Sequence, residues 1–233
     1  MSVRAVCFDL DGTLLRDDHV DGVVRRVAEE LSRSYPGIDV AELVAANERV
    51  WWEYWPEVGD RWMRGEVPGD DVPTEVWRRA LAAVGVTDQD AAAAAFRLHT
   101  GIEGATFALY PEAEDVLAEL RERGIRVAII TNGPSGLQRA KLAAVGIADG
   151  FDAVLVSGER GVQKPDPAIF ALAVDELGVT AAEALHIGDN QVADVAGARS
   201  AGLTAVWIDR NRAERTSDPH AVVTDLRGLL ALV

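Results

Sequence analysis

Cysteine is nearly absent from this sequence: Cys7 is the only one in 233 residues. No intrachain disulfide and no thiolate metal cluster can form, and Cys7 lies in an apolar run, where a buried small hydrophobe is expected rather than a reactive thiol. Positive charge is scarce too. Lys and Arg total 23 against 38 Asp and Glu, a net charge of −15. A chain this acidic offers no basic face to a nucleic-acid polymer or an anionic membrane. Any anion-binding pocket within it must create its own local positive charge, and a metal ion would do this. Long hydrophobic runs are missing as well, since no stretch approaches the roughly 18 apolar residues of a membrane span. There are no repeats, and the one biased tract, Ala91–Ala95, reads as helix. What remains is ordinary for a globular protein: 48% apolar and 26% charged residues, in a length that allows one large domain or two small ones around a real core.

Val3 to Phe8 is a short, β-branched apolar run ending at acidic residues and glycine, the pattern of a buried strand opening into a loop. Helical periodicity then takes over at Val20–Ser34, Val40–Trp55, Thr74–Val84 and Asp88–His99, with Pro36, Pro56, Pro68 and Pro73 read as breaks. Thr74 or Pro73 is expected to start the third helix, and Asp88 the fourth. No strand is visible there, so residues 17–104 are expected to form an all-helical unit. Beyond it the chain alternates. Strands are expected at Ile125–Thr131, Ala153–Ser157, Ala184–Gly188 and Thr204–Ile208. Helices are expected at Glu112–Arg123, Ser135–Val145, Asp166–Leu177, Val192–Ala201 and Leu226–Leu232, with Gly124, Gly146, Gly178 and Gly202 as stops. Alternation of this kind means βαβ units and a parallel sheet. The isolated first strand finds neighbours only in that later portion. The expected architecture is therefore an α/β, Rossmann-like parallel-sheet core of residues 1–16 and 105–233, with the helical unit inserted after the first strand. Open α/β sheets bind ligands beyond the carboxyl ends of their strands, and the inserted helices leave from that end.

Four strand ends or helix starts carry informative residues. The first strand ends in Asp9-Leu10-Asp11-Gly12-Thr13 and the second in Thr131-Asn132-Gly133. Lys164 precedes Pro165-Asp166-Pro167, and the fourth strand ends in Gly188-Asp189, with Asp194 five residues on. Each has a bland reading: aspartates and Asn132 as turn or cap residues, Lys164 as a solvated surface lysine. Together, in a parallel sheet, they converge on one edge.

This ordered set resembles the haloacid dehalogenase superfamily, with its motifs in order as DLDGT, TN, K and GD-x4-D, and the inserted helices resemble the cap that family places after the first motif. The resemblance implies a Mg²⁺-dependent phosphatase acting on a small phosphate ester. Asp9 would be the nucleophile, Asp11 the general acid–base, and Thr131, Asn132 and Lys164 the phosphate-binding groups. Asp9, Asp189 and the backbone carbonyl of Asp11 would hold the metal. Such assignments suit the chemistry, because a phosphomonoester dianion repels an anionic nucleophile until its charge is neutralised, and Mg²⁺ takes oxygen ligands. Asp194 either completes the metal site or orients Lys164. The first residues lead directly into the Asp9 segment, which leaves no room for a signal peptide, so a cytoplasmic enzyme, monomer or homodimer, is expected.

Other members of the superfamily fit less well. Halide departure needs no proton donor, and a phosphonatase wants a cap lysine, whereas the only lysines here are Lys141 and Lys164. A phosphosugar mutase remains open, as does a non-catalytic binding module that kept the fold. The segments TNG-x4-Q-x2-K (Thr131 to Lys141) and GVQKPDPAIF (Gly161 to Phe170) resemble the branch holding pyrimidine-nucleotide and acylneuraminate phosphatases, with similar wording in phosphoglycolate phosphatase-like members. In the cap, Trp51, Trp55, Val58 and Trp62 form a core stripe if the helix runs through Pro56. Trp52 or Tyr54, off that stripe, either faces the cleft or is structural. Arg61 and Arg64 either meet a second anionic group or are solvated, and His19 and His99 are read as structural or exposed.

Overall fold

A computed structural model describes residues 2–16 and 22–233. Six strands form one sheet: β1 Ala5–Phe8, β2 Arg126–Thr131, β3 Ala153–Val156, β4 Ala184–Gly188, β5 Thr204–Ile208 and β6 Ala221–Val223, ordered β3-β2-β1-β4-β5-β6 with every pair parallel. The expected strands at 184–188 and 204–208 are found with those bounds. β6 was not anticipated, because three residues at a sheet edge are too few to show a period.

Strand alternation divides the core between the two faces of the sheet. Val6, Phe8, Val127, Ile129, Leu185 and Ile187 pack on one side against helix α5, Ala113–Glu122, through Val116, Leu117 and Leu120. Ala5, Cys7, Ala128, Ile130 and Leu155 face the other side, against Ile169, Phe170 and Ala173 of α8, Pro167–Leu177. Burial on both faces is why these strands read as continuous apolar runs. It also pushes the Cys7 thiol up to about 12, which makes it inert, as expected of a buried hydrophobe.

Four helices precede this alternation: α1 Val23–Ser34, α2 Val40–Met63, α3 Asp71–Ala83 and α4 Gln89–Gly104. Asp39 and Asp88 cap α2 and α4, their carboxylates accepting from the backbone N–H of Glu42 and Asp90. Val27, Leu31, Leu43, Trp77, Leu81 and Ala95 close a separate apolar cluster among these helices. Two expected breaks are overturned. Pro56 lies inside α2, which continues to Met63. An interior proline costs about 3 kcal/mol, and the burial of Val58 and Trp62 on the far side of it offsets that. Pro73 is the third residue of α3, in the first turn, where a missing N–H costs nothing. The helix thus starts at Asp71, ahead of Pro73 and Thr74.

After β2 comes α6, Ser135–Ala144, and after β3 a single turn, α7, Ser157–Arg160. The helix expected at Val192–Ala201 begins as a π-helical stretch, Gln191–Ala196, before α9, Gly197–Ser200. The last expected helix is a 3₁₀ stretch, Leu226–Ala231. The turn after α2 rests on the loops beyond β2 and β3. The Ser157 hydroxyl donates to the Met63 carbonyl at 2.5 Å, and Gln163 Nε2 donates to Asp60 Oδ1 at 2.9 Å. Gly65 and Gly158 meet so closely that a Cβ on Gly65 would stand 2.2 Å from the Gly158 oxygen.

Candidate active site

β1 is central, and the sheet order reverses beside it, between β1 and β4, which makes this the crevice where an open α/β sheet binds ligands. Asp9 is the first residue beyond β1. Its N–H donates to the Ile187 carbonyl at 2.9 Å, extending the β1–β4 ladder and holding Asp9 beside Gly188. Lys164 is not a solvated lysine. It is 3% exposed, and its ammonium sits between Asp9 Oδ1 at 2.5 Å and Asp194 Oδ1 at 2.6 Å. Asn132 brings it there through a reciprocal pair: its Nδ2 donates to the Lys164 carbonyl and its Oδ1 accepts from the Lys164 N–H, both at 2.9 Å. The Asn132 side chain is therefore committed to the backbone of Lys164.

Asp194 is buried and held three ways. It accepts from Lys164, from His186 Nε2 at 3.0 Å, and from the Asn190 N–H at 3.0 Å. A carboxylate only accepts, so His186 Nε2 carries the proton, and burial holds the His186 pKa down so that the ring stays neutral. The π-helical stretch has a job here. Asn190 Oδ1 caps it by accepting from the N–H groups of Val192 and Ala193, and its wide turn carries Asp194 back to Lys164. Gly188 must lack a side chain, because a Cβ there would lie 2.1 Å from Asp194 Cγ.

Asp9, Asp189 and Asp194 each place a carboxylate oxygen within 4.8 Å of the others. Burial raises the Asp9 pKa most, Lys164 opposes it, and Asp194 and Asp189 raise it further; the net direction is well up. For Asp194 burial also raises, but Lys164 and His186 outweigh it and the net direction is down. At Lys164, burial acts downward while Asp194 and Asp9 push harder the other way, so the ammonium stays charged. Three carboxylates thus gather around one ammonium. This surplus of hard oxygen donors and negative charge fits a divalent cation such as Mg²⁺. Of the three, Asp194 has its oxygens committed to Lys164, His186 and the Asn190 N–H, which suits it to orienting Lys164 and leaves Asp9 and Asp189 as the better ligands.

Thr131, the last residue of β2, is buried, and its Oγ1 accepts from Gln138 Nε2. The same amide donates to Asp11 Oδ2 at 3.0 Å, and Lys141 Nζ donates to Asp11 Oδ1 and Oδ2 at 2.8 and 2.9 Å. All the expected site residues are therefore in one cluster. Sequence reasoning quoted Gln138 and Lys141 in the TNG-x4-Q-x2-K segment without giving them a role, and it missed His186, Ser157 and Arg210. The Arg210 guanidinium bonds Glu112 at 2.9 Å and the carbonyls of Gly12 and Thr13 at 3.3 and 2.9 Å, and stacks on Tyr110. Arg210, Tyr110 and Gly12 line a cavity of about 170 Å³ that also touches Asp189. Contacts between residues 98 and 198 positions apart leave no periodic trace, whereas a histidine inside the apolar strand at 184–188 was a usable signal.

Among the inserted helices the tryptophan stripe is core: Trp51 stacks on Trp55 at 5.4 Å, and Trp62 meets both edge-on at 6.0 and 6.1 Å. Leu137 of α6 joins that cluster. Tyr54 is covered by the Arg79 guanidinium at 4.1 Å, and Trp52 is 67% exposed. Arg61 and Arg64 both pair with Glu66. His99 lies edge-on to Trp77, a structural setting, and His19 is outside the described residues.

A family model described as haloacid dehalogenase-like hydrolase matches residues 3–202, and the chain belongs to that family. It is 39% identical to a phosphoserine phosphatase of Thermus thermophilus over 94% of this chain and 93% of that one. It is 31% identical to the N-acylneuraminate-9-phosphatase of Mus musculus over 99% of this chain and 94% of the relative. The solved structure of a 2-haloacid dehalogenase from Pseudomonas syringae aligns over 99% of this chain and 97% of its own, with 26% identity and a TM-score of 0.72. No described helix is long and apolar enough to cross a membrane.

Proposed function

We propose that this chain is a Mg²⁺-dependent phosphomonoester hydrolase that works in the cytoplasm through an aspartyl-phosphate on Asp9, with residues 17–104 as a cap over a core of 1–16 and 105–233. Its similarity extends to phosphatases and to a dehalogenase alike. The observation that favours a phosphatase is the second acid: Asp11 shares the Gln138 amide with Thr131, so a carboxylate able to move a proton stands beside the group suited to bind phosphate. An alkoxide leaving group needs that proton and a halide does not.

Asp9, Asp189 and the Asp11 carbonyl would hold the cation, which supplies charge neutralisation of the phosphate. An Asp9 carboxylate oxygen attacks phosphorus as the ester P–O bond breaks, and the departing oxygen takes a proton from Asp11. A water oxygen then attacks phosphorus and gives its proton to Asp11, and the bond to Asp9 breaks to release inorganic phosphate. Lys164 neutralises the phosphate and holds Asp9 in line. Thr131 and the backbone N–H groups around Asn132 bind the phosphate oxygens ahead of α6.

A panel of phosphate esters (nucleotides, sugar phosphates, phosphoserine, phosphoglycolate, p-nitrophenyl phosphate), assayed for inorganic phosphate with Mg²⁺ and with chelator, tests this reading. Turnover should require the metal, and Asp9→Asn should lose at least about a thousandfold on every ester. Folded wild-type protein inactive on the whole panel, or an Asp9→Asn variant that keeps turnover, would sink it.

A further inference from the structure

Only two of the 23 basic residues are lysines, and each places its ammonium on one aspartate of the Asp9-x-Asp11 pair. The part played by Lys164 is described above; that of Lys141 is not. Lys141 and Gln138 stand three residues apart on α6, on one helix face. Gln138 is 1% exposed, and the two hydrogens of its amide nitrogen are both used, on Asp11 Oδ2 and on Thr131 Oγ1. The Asp11 carboxylate therefore receives contacts from two donor groups although its side chain is 42% exposed. Such a carboxylate would otherwise sample several rotamers. Because Thr131 accepts from Gln138, its own hydroxyl proton is left to point elsewhere.

We propose that Lys141 and Gln138 are positioning residues: they set the Asp11 carboxylate for proton transfer at the leaving oxygen and turn the Thr131 hydroxyl towards the phosphate. The inference rests on the phosphatase reading and extends it to two residues that act through Asp11 and Thr131. A purely structural role explains them poorly, since a pair this exposed on one side stabilises by at most about 1 kcal/mol.

The test compares kcat/KM for p-nitrophenyl phosphate, whose phenolate leaves without a proton, with kcat/KM for the fastest alkyl ester of the panel, whose alkoxide does not. A positioned acid contributes roughly 10² to 10⁴ in rate, so Lys141→Met should lower the alkyl-to-aryl ratio by about thirtyfold or more. Lys141→Arg, which keeps the donors, should restore most of the ratio. Gln138→Met should lower the ratio and also raise KM for both esters, because Thr131 loses its fixed orientation. Equal losses on both esters, or no loss, would overturn the proposal. A wild type that turns over the aryl ester alone would also overturn the proposal, whereas one inactive on the whole panel would overturn the phosphatase reading beneath it.

Discussion

Replacing Lys164 by Met removes a buried ammonium and keeps an apolar stem of similar length. Asp194 retains two of its three donors, His186 and the Asn190 N–H, but Asp9 keeps only the long Thr13 hydroxyl contact at 3.4 Å. The cost therefore falls mainly on Asp9. Breaking a buried ion pair by removing one partner costs about 3–5 kcal/mol, and the donors that remain on Asp194 place this case near about 3. At roughly 2–4 °C per kcal/mol for a chain of this size, metal-free protein at pH 7 should melt about 6–12 °C lower. Calorimetry or thermal denaturation followed by circular dichroism reads this directly. The combined variant Lys164→Met/Asp9→Asn should regain much of the loss, because no unpaired charge remains at Asp9. The sign with pH is also set. The folded pKa of Asp9 is already raised by burial in the parent, and losing Lys164 raises it further in the variant, so lowering the pH protonates it and relieves the penalty. In the parent, Asp194 has a depressed pKa and contributes stability that is lost as pH falls below the ordinary carboxylate range. The gap between the two proteins should therefore narrow towards acid. A Lys164→Met protein within about 1 kcal/mol of the parent at pH 7 would refute the reasoning, since a charge left unpaired there should cost several times that.

Two further outcomes follow from named contacts. Gly188→Ala places a methyl group on the Asp194 carboxylate, and overpacking of this kind costs about 1–3 kcal/mol; both melting temperature and turnover should fall, and a variant with parental values for both would show that Asp194 need not lie where it does. On α3, hydrogen bonds from Arg78 and then Arg79 hold the Glu75 carboxyl at about 2, against an ordinary value of 4.5. Its stabilisation is present above pH 4.5 and lost as pH falls through about 2, so Glu75→Gln should be less stable than the parent at pH 6, by less than about 1 kcal/mol for so exposed a group, and equal to it near pH 2. Urea titrations at the two pH values that show the same difference at both would exclude this linkage.

The sequence carried the sheet well. The runs at 126–131, 184–188 and 204–208 are apolar because both faces of a parallel sheet are covered, and that signal is local. Pro56 and Pro73 misled for an equally physical reason. Proline signals a break through its own backbone, but whether the helix yields depends on what is buried beyond it, and Val58 and Trp62 are buried in a cluster with Trp51, Trp55, Val72 and, from α6, Leu137. The π-helical turn at Gln191–Ala196 had no local signature, since it serves the placement of Asp194 against Lys164.

The candidate site divides along the same line. Residue types, their order and the family resemblance they carry singled out Asp9, Asp11, Thr131, Asn132, Lys164 and Asp189, because parallel strands put their carboxyl ends on one edge. Lys164, which by itself reads as a surface lysine, became buried only through Asn132 and the two carboxylates. The partners of Asp11 were in plain view as Gln138 and Lys141, yet their spacing says only that they share a helix face. Which aspartate they meet depends on how α6 sits against the loop that follows β1, 127 to 130 residues away in the chain. Local chemistry is written in the order of residues; pairing between distant residues is decided by packing, and packing set the partners of Asp194 and the company of Asp11.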